Sequence, residues 1–243
     1  MQHLSAEHAT SITRRLRAVK DEIGEIAQRS GRAPGAVRLI AVSKTFPAGA
    51  IEAACAAGHS DFGESTVQEA LPKLATLADR AITWHFIGHL QSNKAKHIPG
   101  NFAWLHALDS IALAQRLSRV ALDRNATLNA LIEVNITGDP RKHGVAPAEL
   151  PRLLEALRAV ALPCVSLRGL MTIGPYPADG AARHAAFAQL RSLRDACVHN
   201  FGLQEFSELS MGMSADYREA ILEGATMVRV GSAIFGERDY GAQ

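Results

Sequence analysis

No stretch of this 243-residue chain approaches the roughly 18 consecutive apolar residues that a membrane span requires. Its opening, "MQHLSAEHATSITRRL", has no apolar core of the kind a signal peptide carries. Cysteine is scarce: Cys55, Cys164 and Cys197 lie far apart, form no CxxC pair and read as reduced thiols. These absences predict a cytoplasmic protein with no membrane contact. Clustered positive charge is missing too. Lys and Arg number 26 against 24 Asp and Glu, and the densest basic run, "TRRLRAVK", reads as a solvated helix face. No nucleic-acid surface is expected from that. Neither a Walker-type phosphate loop nor a Ser–His–Asp pattern appears. No linker or break in composition divides the chain, so residues 1–243 are expected to form one domain.

What is present is an alternation. Ile12, Leu16, Val19, Ile23 and Ile26 recur at steps of four and three, which predicts a helix within residues 1–31, ended by "SGRAPG". After it come eight β-prone runs, at 38–44, 60–64, 82–88, 104–109, 130–136, 165–173, 206–212 and 226–236. Most are continuously apolar, as parallel strands buried on both faces are. Amphipathic segments lie between them, with Asp109 or Ser110 placed to cap one that buries Leu113, Leu117 and Val120. Leu150, Leu153, Leu154, Leu157 and Val160 form a second stripe, and Phe187, Leu190 and Leu193 a third. About eight alternations at this length predict an α/β fold, a (β/α)8 barrel carrying an extra N-terminal helix. An open doubly wound sheet is the competing arrangement, and 60–64 is the weakest of the strands.

In such a barrel the carboxyl ends of the strands share one mouth, and sites form there. The strand ends supply Lys44 in "LIAVSKTFP", "FGES" (62–65), "NITGD" (135–139), "SMGMS" (210–214) and "GSAIFG" (231–236). "SMGMSADYREAI" runs from strand through a turn into a helix with Ser214 or Asp216 as its cap, and the next strand ends on Gly231 and Ser232. The loops after strands seven and eight are where these barrels often seat phosphate, on free N–H groups and a helix dipole. Arg229 lies inside the last strand; pointing inward it must be paired or face a ligand, and the alternative is an outward arginine snorkelling between helices. Lys44 is open to two descriptions. It is either a solvated charge closing a strand or an amine held at the mouth. Partial desolvation favours the neutral amine, the form that attacks an aldehyde. A lysine and a phosphate cradle together suit a phosphorylated aldehyde, either pyridoxal 5′-phosphate or a phosphosugar. His85 and His89 are four apart across a strand and turn, with no carboxylate nearby in sequence, and read as structural rather than metal-binding.

The motifs "AVSKTFP", "FGES-VQEA", "WHFIGHLQSNK", "EVNI…KHG", "GLMTIGP" and "LSMGMSADYREAILEGATMVRVGSAIFGER" closely resemble those of the pyridoxal phosphate homeostasis proteins, the YggS-like family, in order from about residue 35 to 238. The resemblance implies the barrel of the alanine racemase N-terminal domain, fold type III among pyridoxal phosphate proteins. It implies an aldimine on Lys44, phosphate contacts from Ser210 and from the backbone of Gly231 and Ser232, and Arg229 at the pyridine nitrogen. It also implies a monomer. One departure stands out. Family members commonly read "FGENYVQE", whereas this chain has Ser65 and Thr66.

A racemase of this fold type needs a second acid/base, usually a tyrosine from a further domain. The chain ends seven residues after Gly236, and Tyr176, Tyr217 and Tyr240 match no such motif. An arginine at the pyridine nitrogen also weakens the ring as an electron sink. The expectation is a protein that holds pyridoxal phosphate and supplies it to apo-enzymes, with no catalytic residue and no metal. An amino-acid racemase and a Schiff-base phosphosugar aldolase are the alternatives.

Overall fold

Eight short parallel strands pair in chain order and close on themselves. They are β1 (Arg38–Val42), β2 (Asp61–Glu64), β3 (Thr83–Phe86), β4 (Trp104–Leu108), β5 (Leu128–Glu133), β6 (Val165–Met171), β7 (Glu208–Met213) and β8 (Met227–Val230). The closing seam pairs Leu39 with Val228 and Ile40 with Arg229. The structure is a computed structural model that describes residues 5–237. Each β-prone run of the sequence overlaps one strand, including the short 60–64, although β5 starts two residues before its run and β7 ends one residue after. The last run is shorter than its composition suggests. β8 stops at Val230, and Ser232–Phe235 turn into a one-turn helix, which puts Gly231 at a strand-to-helix corner.

The helices follow as the apolar stripes require. They are α1 (Ala6–Arg29), α2 (Ala48–Ala56), α3 (Val67–Thr76), α4 (Ile111–Asp123), α5 (Leu150–Ala159), α6 (Gly180–Phe201), α7 (Tyr217–Leu222) and α8 (Ser232–Phe235). After β3 the crossover is only a 3-10 turn, Ser92–His97. Ser110 caps α4, its hydroxyl accepting from the Leu113 amide. The five stripe residues of α1 are all buried, against α2, α7 and α8. Each such side chain withdrawn from water contributes about 1.5–3 kcal/mol. Arg15 adds a hydrogen bond from Nε to the Ile234 carbonyl at 2.7 Å, so α1 also braces α8, just past the end of β8. The three cysteines are unpaired. Among the described residues no helix is long and apolar enough to cross a membrane.

The lumen departs from the usual stack of aliphatic layers. His85, His106, Glu133, Thr172, Ser210 and Arg229 are all buried polar groups on or just beyond the strands. Buried polar groups are costly unless hydrogen-bonded, so their partners decide what the barrel can do.

Candidate functional site

Lys44 stands in the turn that follows β1, partly buried. The residues on either side of it are held by side chains from α3 and β2. Lys73 Nζ donates to the Ser43 carbonyl at 2.9 Å, to Glu64 Oε1 at 2.8 Å and to Glu69 Oε1 at 2.7 Å. The Ser43 hydroxyl donates to Glu64 Oε1 at 2.7 Å, and the Thr45 amide donates to Glu69 Oε1. Thr45 has φ of 70°, a left-handed conformation that a β-branched residue adopts only under constraint. The Glu69 carboxylate supplies that constraint. A clamp of Glu64, Glu69 and Lys73 therefore sets the direction in which the chain carries Lys44 out of β1. Sequence reading missed these three, although all belong to the stretch from "FGES" to "VQEALPK". Their spacing suggests an ordinary helix face, and only β1 lying beside β2 brings them to Lys44.

Across the mouth, β7 and β8 approach through Ser214, whose hydroxyl accepts from the Gly231 amide at 3.2 Å. A Cβ on residue 231 would stand 3.2 Å from the Val42 carbonyl, so glycine lets the β8 turn lie against the end of β1. The first amides of α8 have no intrahelical partner, as in any helix. Asp216 is the residue before α7, yet its carboxylate turns back to accept from the Met213 amide at 2.6 Å instead of capping the helix.

Below this turn lies Arg229, 5% exposed and pointing into the barrel as expected. Nη1 donates to Ser210 Oγ at 2.7 Å and Nη2 to the Thr172 carbonyl at 2.8 Å. Burial pulls the guanidinium down to about 10, against the attraction of Asp216 and Glu133. Those two carboxyls lie beyond pairing distance. Burial also pushes the Glu133 carboxyl up to about 7, with Arg229 opposing. Ser210 is fully buried beneath the guanidinium, whereas the serine that reaches Gly231 is Ser214. Lys44, Gly231, Ser232 and Arg229 thus gather at one end of the barrel, with Ser210 one layer deeper.

The polar groups continue downward. His106 Nδ1 lies 2.9 Å from Ser210 Oγ, and His106 Nε2 lies 3.0 Å from His85 Nδ1. His85 Nε2 lies 3.2 Å from Asp61 Oδ1. The absence of a carboxylate near His85 in sequence was therefore misleading, because β2 delivers Asp61 from 24 residues away. His89 is separate. It stacks on His143 at 3.7 Å and lies 3.9 Å from Asp109. Among the described residues no cluster could hold a metal. A cleft of about 610 Å³ lined by Glu52, Cys55, His59 and Arg80 opens near the start of β2, at the end of the barrel opposite Lys44.

The buried imidazoles give the fold a pH dependence. Burial holds His59 down at about 4, with Lys20 adding to the effect. It also lowers His85, where Asp61 opposes it, and takes His106 well below the usual histidine range. The unfolded chain protonates these rings near pH 6.5 and the folded chain does not, so stability falls as pH drops through that value. Each ring contributes up to about 1.4 kcal/mol per pH unit. The urea midpoint is expected to decline steadily from about pH 7.5 to about pH 5.5. The raised Glu133 carboxyl works in the opposite sense, because the folded chain takes up its proton near pH 7, and the three rings together must outweigh it. A midpoint that rises toward acid would show that these rings are not held neutral.

A family model described as the alanine racemase N-terminal domain matches residues 15–239. The pyridoxal phosphate homeostasis protein of Pseudomonas aeruginosa is 49% identical over 233 residues, spanning 96% of this chain and 98% of that protein. This chain belongs to the pyridoxal phosphate homeostasis protein family. Among solved structures, PipY of Synechococcus elongatus with pyridoxal phosphate bound is 41% identical, with a TM-score of 0.81 over 93% of this chain and all of that one. The alanine racemase of Corynebacterium glutamicum has a TM-score of 0.66 at 20% identity, and 63% of its length is covered. That likeness concerns the fold alone.

Within the homeostasis family, the departure at Ser65 and Thr66 leaves the backbone of the turn under tight control. A Cβ on Gly88 would fall 2.1 Å from the Ser65 carbonyl, so the β3 loop packs directly on that turn. Thr66 precedes α3 without a side-chain cap. Of the tyrosines, Tyr217 donates its hydroxyl to Glu22 of α1 at 2.5 Å, and burial with that bond pushes it up to about 12. Tyr176 is exposed in the loop after β6, and Tyr240 lies outside the described residues.

Proposed function

We propose that this protein binds pyridoxal 5′-phosphate at the carboxyl-terminal mouth of its barrel, holds it on Lys44, and keeps it available to apo-enzymes that need it. The observation that carries this is Arg229. A buried guanidinium braced by a hydroxyl and a carbonyl, with no paired carboxylate among the described residues, keeps charge and N–H donors for a ligand. A pyridine nitrogen is an acceptor, and a phosphate is an anion drawn to the same end. The residues present fit the group. Lys44 brings an amine, Gly231 and Ser232 bring backbone N–H groups, and the Ser214 hydroxyl stands beside Gly231. Ser210, implied at the phosphate by the family resemblance, also braces Arg229 from below.

When bound, pyridoxal phosphate supplies an aldehyde that condenses reversibly with an amine. Arg229 would meet the ring nitrogen as a donor, would keep it unprotonated and would so limit carbanion chemistry. This supports a holding role without robust turnover, as does the name of the Pseudomonas relative. Unpaired thiols support a cytoplasmic location, and the family resemblance supports a monomer and a single domain.

The test is spectroscopic. Adding pyridoxal phosphate to the purified protein is expected to produce a visible band, and borohydride is expected to fix the cofactor to the peptide containing Lys44. A colourless protein with no trapped peptide sinks the proposal. Exchange of amino-acid α-protons with solvent at enzymatic rates would overturn its second half.

A further inference from the structure

Arg229 is a donor at every hydrogen of its guanidinium, and an ionised carboxylate is an acceptor only. Asp61 is ionised. Burial works against its charge, but the hydrogen bond from His85 and the charge of Arg38 outweigh it and hold the carboxyl below its ordinary range. Between these two ends stand one hydroxyl and two imidazoles, joined at 2.7, 2.9, 3.0 and 3.2 Å. Both rings are fully buried.

The ends dictate the direction of every bond between them. Ser210 accepts from Arg229 and gives its own hydrogen to His106 Nδ1. His106 must then carry its hydrogen on Nε2, facing His85 Nδ1. His85 in turn carries its hydrogen on Nε2 and donates to Asp61. Turning either ring's tautomer around would set two lone pairs or two hydrogens face to face in a dry interior, which is costly. The line runs from β8 through β7, β4 and β3 to the first residue of β2. β7 and β4 are not neighbours, so the Ser210–His106 bond spans the lumen. Other charged groups facing the line are Arg38, 3.8 Å from Asp61, Lys20, which feels the Asp61 charge, and Glu133 and Asp216 around Arg229. Trp104 stacks on His85 at 5.9 Å.

We propose that Ser210, His106, His85 and Asp61 are positioning residues for Arg229, forming a one-way hydrogen-bond relay that fixes where the guanidinium aims its remaining donors. Asp61, at the amino-terminal end of the barrel, thereby controls the arginine at the opposite end. The claim that those donors meet a cofactor rests on the function proposed above; the relay itself does not. An interior needing only stability would be served as well by aliphatic side chains, which often replace buried polar groups without loss. A polar line that ends on a ligand-facing arginine is accounted for by what that arginine requires.

The relay is tested on cofactor-free protein. Long-range 15N–1H correlation spectra of histidine-labelled protein are expected to show His85 and His106 both neutral and both protonated on Nε2. Asp61→Ala is expected to remove that preference at both rings and to shift the Arg229 guanidinium resonances. Asp61→Asn, whose amide oxygen can still accept from His85, is expected to restore them. A charged or Nδ1-protonated ring in the wild type overturns the proposal. So does an Asp61→Ala protein whose His106 and Arg229 signals are unchanged. With pyridoxal phosphate added, the absorption maximum is expected to move in Asp61→Ala and return in Asp61→Asn, and an unmoved maximum overturns the link to the cofactor. If the wild type shows no visible band at all, the functional proposal fails while the tautomer spectra still decide the relay.

Discussion

Lys44→Ala protein mixed with pyridoxal phosphate is expected to show only the spectrum of the free aldehyde, and borohydride treatment to leave trapped cofactor at background. The chain has six lysines, at 20, 44, 73, 94, 96 and 142. Lys73 is committed to Glu64, Glu69 and the Ser43 carbonyl. Lys142 donates to the Gly174 carbonyl at 2.8 Å, and Lys20 to the Gly58 carbonyl at 3.2 Å. Lys94 and Lys96 lie on the 3-10 turn after β3. Only Lys44 emerges from β1 between the two ends of the clamp and beside the β8 turn. Because Lys44 is partly exposed in a turn, its truncation leaves the buried face of β1 in place. Far-ultraviolet circular dichroism should match the wild type. An adduct of wild-type yield in the mutant, mapped to Lys142, would move the anchor to the loop after β5 and end the case for Lys44.

Lys73→Met is expected to be the most damaging single change to the fold around the site. Lys73 is 8% exposed and Glu64 fully buried, and Glu64 Oε2 already has no hydrogen-bond partner among the described residues. Without the ammonium, a buried carboxylate keeps only the Ser43 hydroxyl on its other oxygen. Breaking a buried pair by removing one partner costs about 3–5 kcal/mol. At roughly 2–4 °C per kcal/mol for a chain of this size, Tm should drop by about 6–20 °C. Burial already raises the Glu64 carboxyl above its usual range, with Lys73 opposing. The mutant carboxyl will be raised further, so its penalty is present at neutral pH and fades as pH falls toward the unfolded value. Lys73→Met combined with Glu64→Gln should recover much of the loss, because the stranded charge is gone. A Tm change no larger than a surface substitution gives would mean that the clamp does not constrain the Lys44 turn.

Local pattern alone determined the eight strands, the α1 stripe, a cap for α4 at Asp109 or Ser110 and the placing of Lys44 and Gly231 at strand ends. Each depends on residues within a turn or two of one another: continuous apolar runs, steps of three and four, a hydroxyl before a helix. The inward direction of Arg229 was legible for a similar reason, since a charge inside an apolar strand has few places to go. Which groups meet inside the barrel was decided only when the sheet closed. Asp61 sits on the weakest strand of the sequence and reaches His85 because β2 lies beside β3. His106 meets Ser210 from 104 residues away, across the lumen. Ser210 and Ser214 look interchangeable in "SMGMS", yet one supports Arg229 and the other touches Gly231. Glu64, Glu69 and Lys73 resemble surface charges until β1 is laid against β2. Periodicity records which face of an element is buried, whereas register and closure decide what that face touches, and these are long-range pairings with no signature in any short stretch of chain.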